Sequence, residues 1–296
     1  MLLDIVNDGM WKLDGGRLFG ETPKEVWENW VVTDRRNCVT LALNCLLIQA
    51  AGEKVLVNTG IGSFFQDSTT MPSLVPSRLR KELKALGVKP REISMVILSD
   101  LRFINAGGCI RVGRTGDIVP TFPRAEYIVQ RDALGEALGE FSKPSGERSL
   151  WHPDPGTIVS PLADRGQLLV IDGDCEILPG INVRKTSGFT RGHQIVLVRD
   201  GGEHVAFLGN VVPTRSHLNS EARIPVFARH PETAVKEKRQ ILDEAVAKGW
   251  LVVFPWEPTT PAGYMHEVRD PEGLGMRTIA FVPVDLSATR RPALVS

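Results

Sequence analysis

The chain has 296 residues, 42% of them apolar, with 28 glycines and 20 prolines. That length suits one large domain or two small ones, and burial of about three quarters of the extended chain's surface supplies a substantial core. Lys and Arg number 35 and Asp and Glu also number 35, so a net charge of zero offers no broad field for a phosphate backbone, and nucleic acid is not an expected partner.

Four cysteines, Cys38, Cys45, Cys109 and Cys175, are widely spaced and form no CxxC. They suggest neither a zinc module nor a disulfide scaffold, and each reads as a small buried side chain. The opening MLLDIVNDGM carries Asp4 and Asp8 and lacks the basic-then-apolar order of a secretory signal. No run approaches the roughly 20 apolar residues that span a bilayer. The expectation is a soluble cytoplasmic protein with no membrane partner.

From Cys38 to Ile48 the chain is apolar with little interruption, and Ala51-Gly52-Glu53-Lys54 separates this stretch from Val55–Val57. This is the pattern of a buried hairpin with Gly52 in its turn. Asn58-Thr59-Gly60-Ile61-Gly62 follows, a strand emptying into a glycine-containing loop of the kind that often lines a site. Between Val75 and Leu86, Leu79, Leu83 and Leu86 recur at helical spacing, with Gly87 as the stop. Arg78, Arg80, Lys81 and Lys84 among them read foremost as a solvated face, with contact to an anionic partner as the less favoured alternative. Met95–Leu98 is a short buried strand, and Ser99–Gly108 a loop with mixed polar groups, which together point to an α/β unit. Residues 141–161, rich in Pro, Gly, Ser and charge, predict a surface excursion, with a lid over a pocket as the less favoured alternative.

Further strands are expected at Leu168–Ile171, Ile195–Arg199 and Val205–Leu208, the last two joined by the turn Asp200-Gly201-Gly202. A helix opens at Pro231-Glu232, with Val235, Leu242 and Val246 as buried candidates, and ends at Gly249. Trp250–Phe254 is a strand leading into Pro255-Trp256-Glu257-Pro258. There is no internal repeat. Two sheets sharing one core under outer helices fit this order better than linked independent domains.

None of the six histidines has another within four residues, so no local metal pair exists, and no GxSxG elbow, Walker loop or GxGxxG is present. The chemistry is therefore sought in the loops. Taken in order, Asp14–Gly20, Asn58–Gly60, Val96–Leu98, Ala106–Gly108, Pro120–Ala125, Gly188, Gly192–Gln194, Phe207–Gly209, Pro213–Thr214 and Gly249–Leu251 resemble the metallo-β-lactamase-fold family, closest to the subgroup of N-acyl-homoserine lactonases. The resemblance covers nearly the whole chain. It implies an α/β (α+β) fold, an αββα sandwich built as a single domain over residues 1–296.

It also implies a changed site. The family's H-x-H-x-D-H metal motif falls on Asp100-Leu101-Arg102-Phe103-Ile104-Asn105, so its four ligands align with Asp100, Arg102, Ile104 and Asn105. The next ligand histidine aligns with Phe189, the bridging aspartate with Asn210, and the final histidine with Trp256. Asn58 stands where the family commonly has a supporting aspartate. Of the seven ligand positions only Asp100 keeps a hard anionic group. Arg102 puts a permanent positive charge where a cation belongs, while Ile104, Phe189 and Trp256 have no ligand atom to offer.

No metal and no cofactor are therefore expected. Asp100 and Arg102 favour an internal ion pair, with Phe189 and Trp256 filling lost metal volume; a polar ligand held by the same groups is the alternative. His193 aligns with a non-ligand histidine and reads as structural support. The functional expectation is a catalytically altered protein with a binding, regulatory or structural role, taking a small polar or anionic ligand, a protein partner or a second copy of itself. The alternative is a hydrolase of a small ester, lactone or amide using Asp100 with Arg102 or His193 in metal-free acid–base chemistry.

Overall fold

The structure is a computed structural model and describes residues 1–64, 76–139, 154–218, 224–268 and 278–286. The first strand, β1 (Leu2–Asp14), buries Asp4, Val6 and Asp8, then Trp11 and Leu13. The change from even to odd positions follows from a bulge between Asn7 and Met10, which shifts the register by one and turns the opposite side chains inward. β1 pairs antiparallel with β2 (Cys38–Ala50), which returns through Ala51-Gly52 as β3 (Glu53–Val57). Gly52 takes φ +85° in that turn, a region in which a glycine costs little.

The next strands are β4 (Met95–Ile97), β5 (Ile110–Val112), β6 (Ile118–Pro120), β7 (Glu126–Gln130) and β8 (Leu168–Ile171). The first sheet has the order β1-β2-β3-β4-β7-β8, and β5 and β6 form a separate hairpin. The second half supplies β9 (Cys175–Leu178), β10 (Ile181–Thr186), β11 (His193–Asp200), β12 (Glu203–Phe207), β13 (Leu251–Val253), β14 (Ala262–Val268) and β15 (Thr278–Pro283). Its sheet is ordered β15-β14-β13-β12-β11-β10-β9.

Between the sheets, Leu46, Ile48, Val57, Ile97 and Ile128 of the first pack with Val183, Val196, Phe207 and Val253 of the second in one buried cluster. The helices of the first half are α1 (Gly15–Phe19), α2 (Lys24–Trp27), α3 (Leu79–Ala85), α4 (Phe103–Ala106), α5 (Arg131–Ala137) and α6 (Gly156–Ala163). Leu18, Trp27, Leu83, Ile104, Ala133 and Leu162, one from each, join a second cluster with Leu47, Leu56 and Val96 of the first sheet. On the far side, Ile241, Leu242 and Ala245 of α7 (Pro231–Ala247) pack with Ile195, Leu197 and Val252 of the second sheet. The order of layers is helix, sheet, sheet, helix. Among the described residues no helix is long and apolar enough to cross a membrane.

Several elements differ from the sequence reading. α3 begins at Leu79 rather than near residue 75, and Val75 lies outside the described residues. Its start is held from a distance: Asp8 accepts from Leu79 N at 3.1 Å and from Ser77 Oγ, and also from Gly62 N at 2.9 Å. Burial pushes the Asp8 carboxyl pKa up against these hydrogen bonds. Of the excursion read over 141–161, residues 141–153 lie outside the described residues, while 156–163 form α6 because Ile158, Val159 and Leu162 share a buried face. In α7 the buried stripe is Ala234, Lys238, Ile241, Leu242 and Ala245, with Val235 and Val246 only half-buried. Small side chains there let the helix approach closely; a Cβ on Gly188 would sit 2.2 Å from Ala234 N. Cys45 and Cys109 are buried, but Cys38 and Cys175 are half-buried, and all four are free thiols.

Because Phe207 is fully buried between the sheets, Phe207→Ala should lower stability by about 3–5 kcal/mol in urea unfolding. A loss below about 0.5 kcal/mol, ordinary for a surface change, would show that the two sheets do not share this core.

Candidate functional site

Asn58 directly follows β3, Asn210 lies three residues beyond β12, and Asp100 and Trp256 each lie three residues beyond β4 and β13. β3 and β4 are parallel neighbours in one sheet, and β12 and β13 are parallel neighbours in the other. The carboxyl ends of two parallel pairs thus deliver these four side chains to one end of the sandwich, the end where open α/β sheets commonly place their sites.

Asp100 is the centre of a buried polar cluster. Its Oδ1 accepts from Asn105 Nδ2 at 2.6 Å and from Arg102 N at 3.0 Å. Its Oδ2 accepts from Asn210 Nδ2 at 2.9 Å, and Arg102 Nε lies 3.9 Å from the same oxygen. Asn58, with φ +60°, takes the Ser99 N–H on its Oδ1 at 2.8 Å and donates to Asn105 Oδ1 at 3.3 Å. The order of donation runs from Asn58 to Asn105 to Asp100. Every member is at least 98% shielded from solvent.

Arg102 extends from this cluster into aromatic surroundings. Its Nη2 donates to the Phe227 carbonyl at 3.0 Å, and its Cζ lies 4.3 Å from the Phe189 ring centroid and 5.1 Å from that of Phe227. A desolvated guanidinium over such rings gains about 2 kcal/mol. Phe227 also meets Phe189 edge-on at 5.5 Å and Trp256 at 6.0 Å, and Trp256 meets Trp11 edge-on at 5.2 Å. Ile104, Phe189 and Trp256 all belong to the apolar cluster on the outer side of the first sheet.

The loops that carry the rings are fixed by backbone bonds. Glu237 of α7 accepts from Ser187 N at 2.7 Å and Gly188 N at 2.9 Å, and Phe189 O accepts from Arg229 N at 3.0 Å. Trp256 N donates to Pro213 O at 2.9 Å, while Ala42 N of β2 donates to Trp256 O at 3.0 Å.

His193 lies at the cluster's edge. Its Nε2 accepts from Asn210 N at 2.9 Å, which puts the ring proton on Nδ1, 2.6 Å from Thr186 Oγ1. Gly209 makes this possible: it takes φ +55°, and a Cβ there would lie 2.4 Å from His193 Nε2. Burial lowers the imidazole pKa from 6.5 to about 4; the Asp100 carboxylate pulls it up and Arg102 pushes it down. Glu136 of α5 is a second acid within electrostatic reach, bound by Arg229 Nη1 at 2.8 Å. Burial raises its carboxyl pKa, and Arg229, Arg102 and Arg191 oppose that rise.

These donors do not suit a divalent cation. Both Asp100 oxygens already accept protein N–H groups, Asn105 Oδ1 accepts from Asn58, and a guanidinium lies within 4 Å. Among the described residues there is no group of three or more His, Cys, Asp or Glu that could hold a metal ion. Two buried atoms beside the cluster, Asn210 Oδ1 and Trp256 Nε1, have no hydrogen-bond partner among the described residues.

Sequence reasoning missed Phe227 and Glu136. Phe227 sits in an Ile-Pro-Val-Phe-Ala run with no periodicity to orient it, and Glu136 reads as an ordinary polar helix residue; nothing local marks either one.

No protein-family model matches the sequence. The chain is 25% identical over 230 residues to an N-acyl homoserine lactonase of Bacillus cereus, covering 74% of this chain and 82% of that protein. Among solved structures, a probable metal-dependent hydrolase from Staphylococcus aureus superposes with TM-score 0.78 at 21% identity, covering 96% of each chain. The hydrolase AbOPH of the beta lactamase superfamily superposes with TM-score 0.79 at 17% identity, over 96% of this chain and 94% of that one. The fold is the metallo-β-lactamase αββα sandwich. AidC, a dizinc quorum-quenching lactonase, shares that fold with TM-score 0.76 at 17% identity, over 96% of this chain and 94% of its own. The present chain carries the sandwich and a sequence similar to the lactonases, with an arginine, two asparagines and aromatic rings gathered around Asp100.

Two outcomes follow for the cluster. Phe189→Ala should cost about 3–5 kcal/mol, since the ring is buried against Arg102, and urea titration checks it; a change under about 0.5 kcal/mol would contradict that packing. The His193 proton gives a pH signature. The unfolded chain takes it up near pH 6.5, whereas the folded chain resists until about pH 4. The contribution of the neutral ring is complete above pH 6.5 and is lost as pH falls towards 4, by about 3 kcal/mol. His193→Gln should therefore flatten the decline of stability between those values, and identical slopes for both proteins would refute the assignment.

Proposed function

We propose that the chain is a catalytically altered member of the metallohydrolase scaffold, in which Arg102 supplies the positive charge that Asp100 faces. Its role is binding, regulatory or structural rather than metal-hydroxide hydrolysis. The observation that carries this reading is that both Asp100 oxygens are already engaged: Arg102 N and Asn105 Nδ2 donate to one and Asn210 Nδ2 to the other, with Arg102 Nε facing it. A metal ion entering there has to displace amide donors and approach a fixed guanidinium, and both oppose it.

Of the binding roles, a small polar or anionic ligand is favoured over a second copy of the chain. Asn210 Oδ1 and Trp256 Nε1 lack partners among the described residues but are sealed from solvent, so a ligand is sought at the surface instead. A cavity of about 930 Å3 is lined by Ile224, Pro225, Val226 and Arg229, the residues flanking Phe227 in sequence. That volume suits a small molecule. Metal-free hydrolysis of an ester, lactone or amide is the weaker reading. His193 uses both ring nitrogens in hydrogen bonds, and Asp100 is buried with both oxygens accepting protein N–H groups.

Residues 1–296 are read as one domain, supported by the core that both sheets build. One urea transition rather than two decides that point. A cytoplasmic setting is read from four free thiols, which persist in reducing compartments; a disulfide in the natively isolated protein would count against it.

Elemental analysis after exhaustive dialysis should find far less than one transition-metal ion per chain, and the same protein should show no chelator-sensitive turnover of an N-acyl homoserine lactone. Near-stoichiometric metal that disappears in Asp100→Ala, or saturable turnover lost with chelator, would overturn the proposal.

A further inference from the structure

Away from the Asp100 cluster, four arginines from separate parts of the chain meet at one concave surface. Arg111 lies on β5, Arg114 in the turn between β5 and β6, Arg80 on α3, and Arg165 just beyond α6. They line a cavity of about 680 Å3. Elsewhere on the surface, basic groups are commonly paired, as in Lys12–Asp34, Lys54–Glu92 and Arg184–Glu244. Among the described residues, none of these four arginines forms an ion pair with a carboxylate.

The acid in the lining is Asp117, whose Oδ1 accepts from Thr115 Oγ1 at 2.6 Å. That bond is the main cause holding its carboxyl pKa below the ordinary value, with Arg165 and Arg111 adding smaller effects, so Asp117 is ionised at neutral pH. Among the described residues, four guanidinium groups against one carboxylate leave the cavity strongly positive within a chain of zero net charge. A concave wall concentrates such a field and raises the local concentration of anions.

The turn that presents Arg114 is itself constrained. Gly113 N donates to Asp117 O at 2.7 Å and Gly116 N to Gly113 O at 3.3 Å. Guanidinium forks match phosphate oxygens in pairs, an advantage that lysine point charges lack. Pro120 and Pro123 give the same cavity an apolar wall. Its volume lies within the range for small-molecule sites.

We propose that this cavity binds a small anion carrying two or more linked phosphate groups, at a site distinct from the Asp100 cluster. The proposal does not depend on how that cluster functions.

Calorimetric titration of the full chain with inorganic tripolyphosphate, in about 50 mM NaCl where surface charges are weakly screened, tests it. Saturable binding with one site per chain is expected. Arg111→Gln with Arg165→Gln should weaken it at least about tenfold, a loss of 1.4 kcal/mol, whereas Arg199→Gln on the exposed end of β11 should leave it unchanged. Circular dichroism confirms that each variant is folded; if Arg111→Gln is not, the exposed pair Arg114→Gln and Arg165→Gln replaces it. Absence of saturable heat up to about 5 mM ligand, weaker than any useful affinity, would overturn the proposal. So would equal affinity in the arginine variants. A single-stranded oligonucleotide that binds through the same arginines more tightly than tripolyphosphate would overturn it in favour of a nucleic-acid surface.

Discussion

Arg102 is a permanently charged group with almost no contact with solvent, and the neighbouring structure is arranged around answering that charge. A buried ion has lost several kcal/mol of hydration, which only a close counter-charge, hydrogen bonds and polarisable surfaces can offset. Asp100 supplies the counter-charge at 3.9 Å, the Phe227 carbonyl supplies an acceptor at 3.0 Å, and two aromatic faces supply the rest. Asn105 and Asn210 then bind the carboxylate without adding charge of their own. An aspartate at either position would place a second anion within reach of Asp100 and leave a single guanidinium to balance it. The neutral amides are therefore part of the same electrostatic solution, not independent changes.

The sheets make this solution affordable in geometry. Parallel pairing of β3 with β4 and of β12 with β13 sends the chain out of each sheet at the same end. Asn58 and Asp100 come from one sheet and Asn210 and Trp256 from the other, so the cluster also ties the sheets together. β2 reaches across as well: Ala42 N and Asn44 N bond to the carbonyls of Trp256 and Pro255. Asn44 Nδ2 adds bonds to Phe254 O at 3.0 Å and Glu257 O at 2.8 Å. A side chain on the loop after β13 is thereby as constrained as one on a strand, which is what an aromatic ring filling a buried space requires.

Much of this was legible in the sequence, and the exceptions have physical causes. The β2–β3 hairpin, β4, the β11–β12 hairpin and α7 show themselves because apolar runs and glycine turns act locally. β1 does not, because a bulge after Asn7 breaks its alternation and because two acids, Asp4 and Asp8, lie on its buried side. α6 was obscured by Pro161 within it, and α3 begins at its first leucine rather than near residue 75, where Asp8, far away in sequence, accepts from Leu79 N. At the site, Asp100, Arg102, Asn105 and Asn210 could be singled out from aligned loops, but not their hydrogen bonds. Phe227 illustrates the boundary most clearly. Its ring and carbonyl both serve Arg102, yet it approaches from 125 residues away and no spacing rule connects the two.

Two details show that the cluster is more than an apolar plug. A purely hydrophobic replacement of this volume has no need of Trp256 Nε1 or Asn210 Oδ1, and each buried polar atom left without a hydrogen bond costs about 1–3 kcal/mol. A phenylalanine in place of Trp256 would fill much of the same space without that cost. The donor and the acceptor persist beside a carboxylate with both oxygens hydrogen-bonded, a fixed cation and a histidine kept neutral by burial. Such a set is poorly placed for proton transfer, because the carboxylate and the imidazole already hold their hydrogen-bond partners inside the protein. The weak acid–base capacity of the cluster is thus visible in the protonation and bonding of these few residues: the groups able to move a proton are occupied within the protein, while Trp256 Nε1 and Asn210 Oδ1, without partners among the described residues, are sealed from solvent.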